Sequence, residues 1–146
     1  MKNGSIKSRI LLDTKPLIKL FAKEEGWDAV QKILAKIEAE EIEAAISVVT
    51  LAEICYKYLQ EKRPELAKTR TNDLRNAIYL EKLEVGEEVA VKAGEFKGKY
   101  NVSIADAFIA ASAYLKEAII ISDDPDFKKI LEAKTLTEKE FILYFP

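Results

Sequence analysis

Residues 7–16, Lys7-Ser8-Arg9-Ile10-Leu11-Leu12-Asp13-Thr14-Lys15-Pro16, decide the fold. The run closing at Leu12 predicts a strand over 7–12. Asp13-Thr14 followed by Pro16 predicts a helix start, because Asp caps helices and Pro suits their first turn. The alternation then repeats. From Trp27 onward, Val30, Ile33, Leu34 and Ile37 recur at helical spacing. Ala44 to Ile46 reads as a second strand, and Ser47 or Thr50 can cap a helix carrying Leu51, Ile54, Cys55 and Tyr58. Pro64 opens another helix running to Ala77, so a helical hairpin is expected between residues 49 and 77. Tyr79 to Val85 predicts a third strand. A helix is expected over 86–99, although Gly94 and Gly98 weaken it, and a further one runs from a Ser103 cap to Lys116. Ala118-Ile119-Ile120-Ile121 is the unbroken apolar run of a central parallel strand. A short helix over 125–132, a strand over 134–136 and a final helix capped by Thr137 complete the pattern. Strands alternating with helices imply an α/β fold. The expectation is one domain over 1–146, a three-layer α/β/α sandwich with a central, mainly parallel sheet of about four to five strands.

Composition narrows the chemistry. The chain has no histidine and a single cysteine, Cys55. Serine–histidine and cysteine–histidine catalysis, two-histidine or cysteine-based zinc sites and an intrachain disulfide are therefore excluded. Cys55 is expected as a buried apolar side chain. No apolar run approaches the ~18 residues that span a bilayer. The polar, basic segment 1–8 followed by a short apolar run does not resemble a secretion signal, so a cytoplasmic location is expected. Few glutamines beside many Glu, Lys and Ile lean towards a thermophilic source. Net charge is −2, so an anionic partner would need metal ions or a local basic patch. Arg63, Lys68, Arg70 and Arg75 could form such a patch, or a plain solvated helix face.

Four acids fall where an open parallel sheet collects ligands, at or near the carboxyl ends of strands: Asp13, Glu53, Asp106 and Asp124. Each has an ordinary structural explanation. Asp13 suits a helix cap. Glu53 suits a solvated helix face. Asp106, three residues after Ser103, suits a weak capping box or a favourable helix-dipole charge. Asp124 belongs to Ser122-Asp123-Asp124-Pro125-Asp126-Phe127, which suits a solvated turn, and position alone does not choose among its three aspartates. Together, carboxylates without histidine or cysteine suit hard cations such as Mg²⁺ or Mn²⁺.

The four segments, in order, resemble the PIN-domain ribonuclease family, most closely VapC-like toxins of type II toxin–antitoxin pairs. The matching stretches are Ile10-Leu11-Leu12-Asp13-Thr14, Ser47-Val48-Val49-Thr50-Leu51-Ala52-Glu53, Asp106-Ala107-Phe108-Ile109-Ala110-Ala111 and Ser122-Asp123-Asp124-Pro125-Asp126-Phe127. Serine stands at 122 where threonine is more usual, which keeps the hydroxyl. The resemblance selects Asp124 as the site acid of its segment. It implies cleavage of single-stranded RNA at a phosphodiester bond; with no histidine to act as base, a pair of Mg²⁺ or Mn²⁺ ions about 3.5–4 Å apart could activate water and stabilise the leaving oxygen. Asp13, Asp106 and Asp124 would be ligands, and Glu53 would bind metal or orient water. Thr14, Ser47, Thr50 and Ser122 would support them. The products would be a 5′-phosphate and a 3′-hydroxyl. An antitoxin whose C-terminal segment blocks the acidic site by placing an arginine there and a homodimer are implied as well, as is the alternative of an RNA-processing nuclease without an antitoxin. A non-catalytic PIN-like module that binds protein or RNA is the rival from a different class. A haloacid-type phosphatase or a receiver domain fits poorly, because Lys15 stands where the former needs its second acid.

Overall fold

The computed structural model describes residues 8–146. Lys7, where the predicted first strand begins, lies outside the described residues. In chain order the elements are β1 (Arg9–Leu12), α1 (Thr14–Ala22), α2 (Trp27–Glu38), β2 (Glu43–Ser47), α3 (Val48–Gln60), α4 (Pro64–Arg75), β3 (Leu80–Leu83), α5 (Glu87–Lys99), α6 (Ile104–Leu115), β4 (Ile119–Ile121), α7 (Asp126–Lys129), β5 (Thr135–Leu136) and α8 (Glu138–Tyr144). The five strands form one sheet in the order β3-β2-β1-β4-β5, and every pairing is parallel. The expected sandwich is thus observed, with an all-parallel sheet.

Strand alternation divides the core. Ile10, Leu12, Ile46 and Ile121 point to one face, where α1, α2, α3, α4 and α8 pack. Leu11, Ala45 and Ile120 point to the other, against α5 and α6. Ile10, Leu11 and Leu12 are all fully buried, which is why this run is apolar throughout rather than alternating. Ala107, Ala110, Ala111 and Ala113 of α6 are fully buried too. Their small side chains let the helix lie close to the sheet. Gly94 and Gly98 do not break α5, and a Cβ at either would meet nothing within 4 Å. Cys55 is only partly buried, packed at the edge of the core. Among the described residues no helix is long and apolar enough to cross a membrane.

The strand order reverses at β1: the chain builds outward to β2 and β3, then returns to β4 and β5. A crevice opens at the carboxyl ends of strands at such a switch point. The first turn of α6 also lies at this edge, since its Asp106 lines the same cleft as Asp13 at the end of β1.

Candidate metal centre

Asp13 follows β1 directly and takes the N-cap position of α1, yet its side chain makes no capping bond. The Ser122 hydroxyl donates to Asp13 Oδ2 at 2.7 Å instead. The cap explanation therefore fails for this carboxylate, which is turned across the switch point towards the end of β4. Ser122 also accepts from the Asp124 backbone N–H at 3.0 Å. One hydroxyl thus ties the two loops together and uses its donor and an acceptor position in doing so. The Asp124 carboxylate in turn accepts from the Asp126 N–H at 3.0 Å.

Glu53 sits on α3, one helical face away from the core residues Ile54 and Tyr58. The Thr14 hydroxyl donates to Glu53 Oε1 at 2.6 Å and lies 3.1 Å from the Thr50 hydroxyl. Thr14 has one proton, so the second contact requires Thr50 to donate. Thr14 and Thr50 are buried and fix the distance between α1 and α3. Ser47 does something else: its hydroxyl caps α3 by accepting from Val49 N–H at 3.0 Å. It supports the acids only by holding the helix that carries Glu53. Ser103 likewise caps α6, accepting from Asp106 N–H at 3.1 Å. The reciprocal half of a capping box is not formed there, in contrast to Thr137 and Glu140 at α8. The Asp106 carboxylate is left to face the cleft.

Asp13, Glu53, Asp106 and Asp124 line a single cleft of about 270 Å³, together with Thr14, Lys15, Ile18, Tyr56, Lys57 and Gln60. Asp123 is turned away from it. Its carboxylate pairs with Lys19, which also bonds Glu138 at 2.7 Å, and it lies 3.7 Å from Lys15. Burial is the largest single influence and works to raise the Asp123 pKa, but the hydrogen bond from Lys19 and the charges of Lys19 and Lys15 together outweigh it and hold the group below its ordinary value. Asp126 comes closer than its place in the sequence suggested. One carboxylate oxygen from each of Asp106, Asp124 and Asp126 fits within 4.8 Å of the others, although Asp126 also pairs with Lys129 at 2.9 Å. The signal that could have found it is the i, i+2 spacing from Asp124 across a proline turn.

Arg63, Arg70 and the rest of the basic run lie on or beside α4 and do not line the cleft. Arg63 lies near Glu61 and Arg70 near Asp73, and the Arg70 guanidinium stands over the Phe21 ring at 4.6 Å. Arg63 and Arg70 are thus engaged with their neighbours, and Lys68 and Arg75 are exposed.

Lys15 and Lys57 also line the cleft, but they pair with Asp123 and Glu61 rather than with its four acids. Among the described residues no lysine or arginine forms an ion pair with Asp13, Glu53, Asp106 or Asp124. Burial pushes the Asp13 pKa up to about 6, against the hydrogen bond from Ser122, and the charges of Glu53 and Asp124 add to the rise. Burial pushes Asp106 to about 7, with Asp124 and Asp13 adding. Carboxylates gathered without ion-pair partners are an energetic cost to the bare protein, and a bound cation lowers it. The all-oxygen donor set suits a hard divalent ion.

A protein-family model described as "PIN domain" matches residues 10–132. No curated protein matches the chain by sequence. Three solved structures show the same fold. VapBC2 from Rickettsia felis, bound to a promoter DNA fragment, superposes with a TM-score of 0.74 at 20% identity, covering 88% of this chain and 98% of that one. DNA-bound VapBC from Salmonella typhimurium gives 0.71 at 18%, covering 91% and 99%. A toxin–antitoxin complex from Klebsiella pneumoniae gives 0.64 at 22%, covering 88% and 97%. At these identities the likeness is one of fold.

Proposed function

The chain belongs to the PIN domain family, and from that premise we propose that it is a metal-dependent endoribonuclease acting on single-stranded RNA. A single PIN-like domain over 1–146 carries the activity. The observation that supports it most is the convergence of Asp13, Glu53, Asp106 and Asp124, none of them ion-paired, on one cleft at the switch point of the sheet. Such a site attracts a divalent cation, and with it the phosphate of a substrate that the protein's own net charge of −2 would otherwise repel.

Asp13, Asp106 and Asp124 would hold Mg²⁺ or Mn²⁺, in one or two ions, with Asp126 at the margin. When bound, the metal supplies an activated water and neutralises charge on the leaving oxygen. The protein's residues do the rest. Ser122 fixes the Asp13 carboxylate and the Asp124 backbone in one geometry. Thr14 orients Glu53, leaving its second oxygen to hold metal or to accept a proton from the attacking water. With no histidine in the chain, a carboxylate is the available base. In-line attack at phosphorus would leave a 5′-phosphate and a 3′-hydroxyl.

The solved neighbours include toxin–antitoxin complexes. In the same reading this chain is the toxin of such a pair, working in the cytoplasm, forming a homodimer, and silenced by an antitoxin segment that covers the acids.

The test is incubation of a mixed-sequence single-stranded RNA with the protein in Mg²⁺ or Mn²⁺, beside EDTA. Metal-dependent cleavage with 5′-phosphate ends is expected. Intact RNA together with no Mn²⁺ binding by calorimetry would return the chain to the non-catalytic reading.

A further inference from the structure

The cleft has a second end that the acids do not explain. Positions 53, 56, 57 and 60 share one face of α3, by the i, i+3, i+4, i+7 spacing of a helix. Glu53 lies at the acid end, and Tyr56, Lys57 and Gln60 lead away from it along the same wall. Tyr56 is 54% exposed, although the α3 positions on the opposite face, Ile54 and Tyr58, are buried. A single exposed tyrosine is ordinary on a protein surface. One that forms the wall of a cleft about 270 Å³ in volume, beside four converging carboxylates, is not accounted for by packing.

Lys57 is the cation next to it. Its ammonium pairs with Glu61 at 2.6 Å across one turn of helix. Such exposed i, i+4 pairs contribute only about 0.3–0.5 kcal/mol, so a phosphate can take the ammonium from Glu61 at little cost. Lys15 faces the cleft from α1, and its partner Asp123 is 3.7 Å away at a half-exposed position. Gln60 ends the stripe with an amide that can both donate and accept.

We propose that Tyr56, Lys57 and Gln60 form a subsite for the nucleotide next to the scissile phosphate. The base lies on the Tyr56 ring, its flanking phosphate meets Lys57, and Gln60 reaches the base edge. This inference rests on the ribonuclease reading and names how that site grips its substrate. An aromatic face accepts any unstacked base, and RNA-binding proteins read single strands by splaying bases onto such rings. The cleft therefore selects an unpaired nucleotide at this position and rejects one held in a duplex.

The test uses a fluorescently labelled, mixed-sequence single-stranded RNA in Mg²⁺. Binding is followed by anisotropy with Glu53→Gln protein, which keeps the ligands Asp13, Asp106 and Asp124 and leaves the RNA uncut, with and without Tyr56→Ala. Alanine is expected to weaken binding roughly 5- to 150-fold, the usual worth of one stacked base, whereas Tyr56→Phe keeps it. In cleavage by the otherwise unaltered protein, Tyr56→Ala raises KM more than it lowers kcat. An abasic nucleotide beside the cut costs the parent protein the same factor and costs Tyr56→Ala almost nothing. Equal binding by Tyr56→Ala, or an equal abasic penalty in both proteins, would overturn the subsite. So would a change in oligomeric state with RNA binding intact, because Tyr56 with Leu59 would then be a protein contact. Cleavage by the parent protein separates the two levels. If it cleaves and Tyr56→Ala behaves identically, only the subsite fails; if it cleaves no RNA with either metal, the ribonuclease reading fails and takes the subsite with it.

Discussion

Replacing Asp13 by asparagine should stabilise the metal-free protein while abolishing its metal-dependent activity. Asparagine keeps the shape and can still accept the Ser122 hydroxyl through its carbonyl oxygen, so the tie between β1 and β4 survives. What is lost is a charge that burial disfavours. The Asp13 pKa rises from 3.8 to about 6 on folding, which corresponds to a cost of roughly 3 kcal/mol once the group is ionised. A raised carboxyl pKa means that the folded state holds the proton longer than the unfolded chain. Parent stability therefore declines as pH climbs from about 4 to 6 on this account, and Asp13→Asn escapes that loss. Asp106 gains as well, because the Asp13 charge contributes to its raised pKa. Thermal unfolding in EDTA at pH 8 should place the variant roughly 6–12 °C above the parent, with the gap closing near pH 4. Excess Mg²⁺ or Mn²⁺ should reverse the order, because it stabilises only the protein that binds it. A variant less stable than the parent at pH 8 in EDTA, or a gap that does not change with pH, would refute the reasoning and make Asp13 a structural residue.

Other outcomes follow from the same geometry. Ser122→Ala removes both the donor to Asp13 and the acceptor for Asp124 N–H, and should lower Mn²⁺ affinity by about 10- to 100-fold in calorimetry, whereas Ser122→Thr should keep it. Asp126→Asn should weaken Mn²⁺ binding by a smaller factor than Asp124→Asn, since Asp126 divides its charge with Lys129. Lys19→Met strands Glu138, whose side chain is only 3% exposed, and should cost on the order of 3–5 kcal/mol in urea unfolding; Lys19→Met with Glu138→Leu should recover much of it. Gly26→Ala should also destabilise, because its φ is +98° and the new Cβ would stand 2.6 Å from Glu138 Oε2.

Much of this was legible in the sequence because its local signals agree with one another. The apolar run before Asp13, the isoleucines at 119–121 and the caps Ser103 and Thr137 each specify their element without help from distant residues. The four acids were legible because strand ends in a parallel sheet share one edge, so positions far apart in the chain share a destination. The direction of an individual side chain was not legible. Asp123 and Asp124 are neighbours with the same chemistry, and what separates them is Lys19, which reaches Asp123 from α1 and is itself held by Glu138 of α8. That triad joins three remote segments, and no local pattern announces it. Asp126 was undervalued for the opposite reason: the turn through Pro125 brings it back towards Asp106, a step set by loop geometry rather than periodicity. Ser47 looked like a neighbour of the acids, but its hydroxyl is used by the backbone of α3.

The most direct measurement is RNA cleavage in Mn²⁺ by a set of single variants that differ only in which carboxylate is neutralised. Asp13→Asn, Glu53→Gln, Asp106→Asn and Asp124→Asn should each lose cleavage while remaining folded by circular dichroism. Asp123→Asn should retain it, because that side chain is turned to Lys19 and Lys15 and not to the cleft. Retained cleavage in Asp124→Asn with loss in Asp123→Asn, or cleavage that survives neutralisation of Asp13, would contradict the assignment of the metal centre.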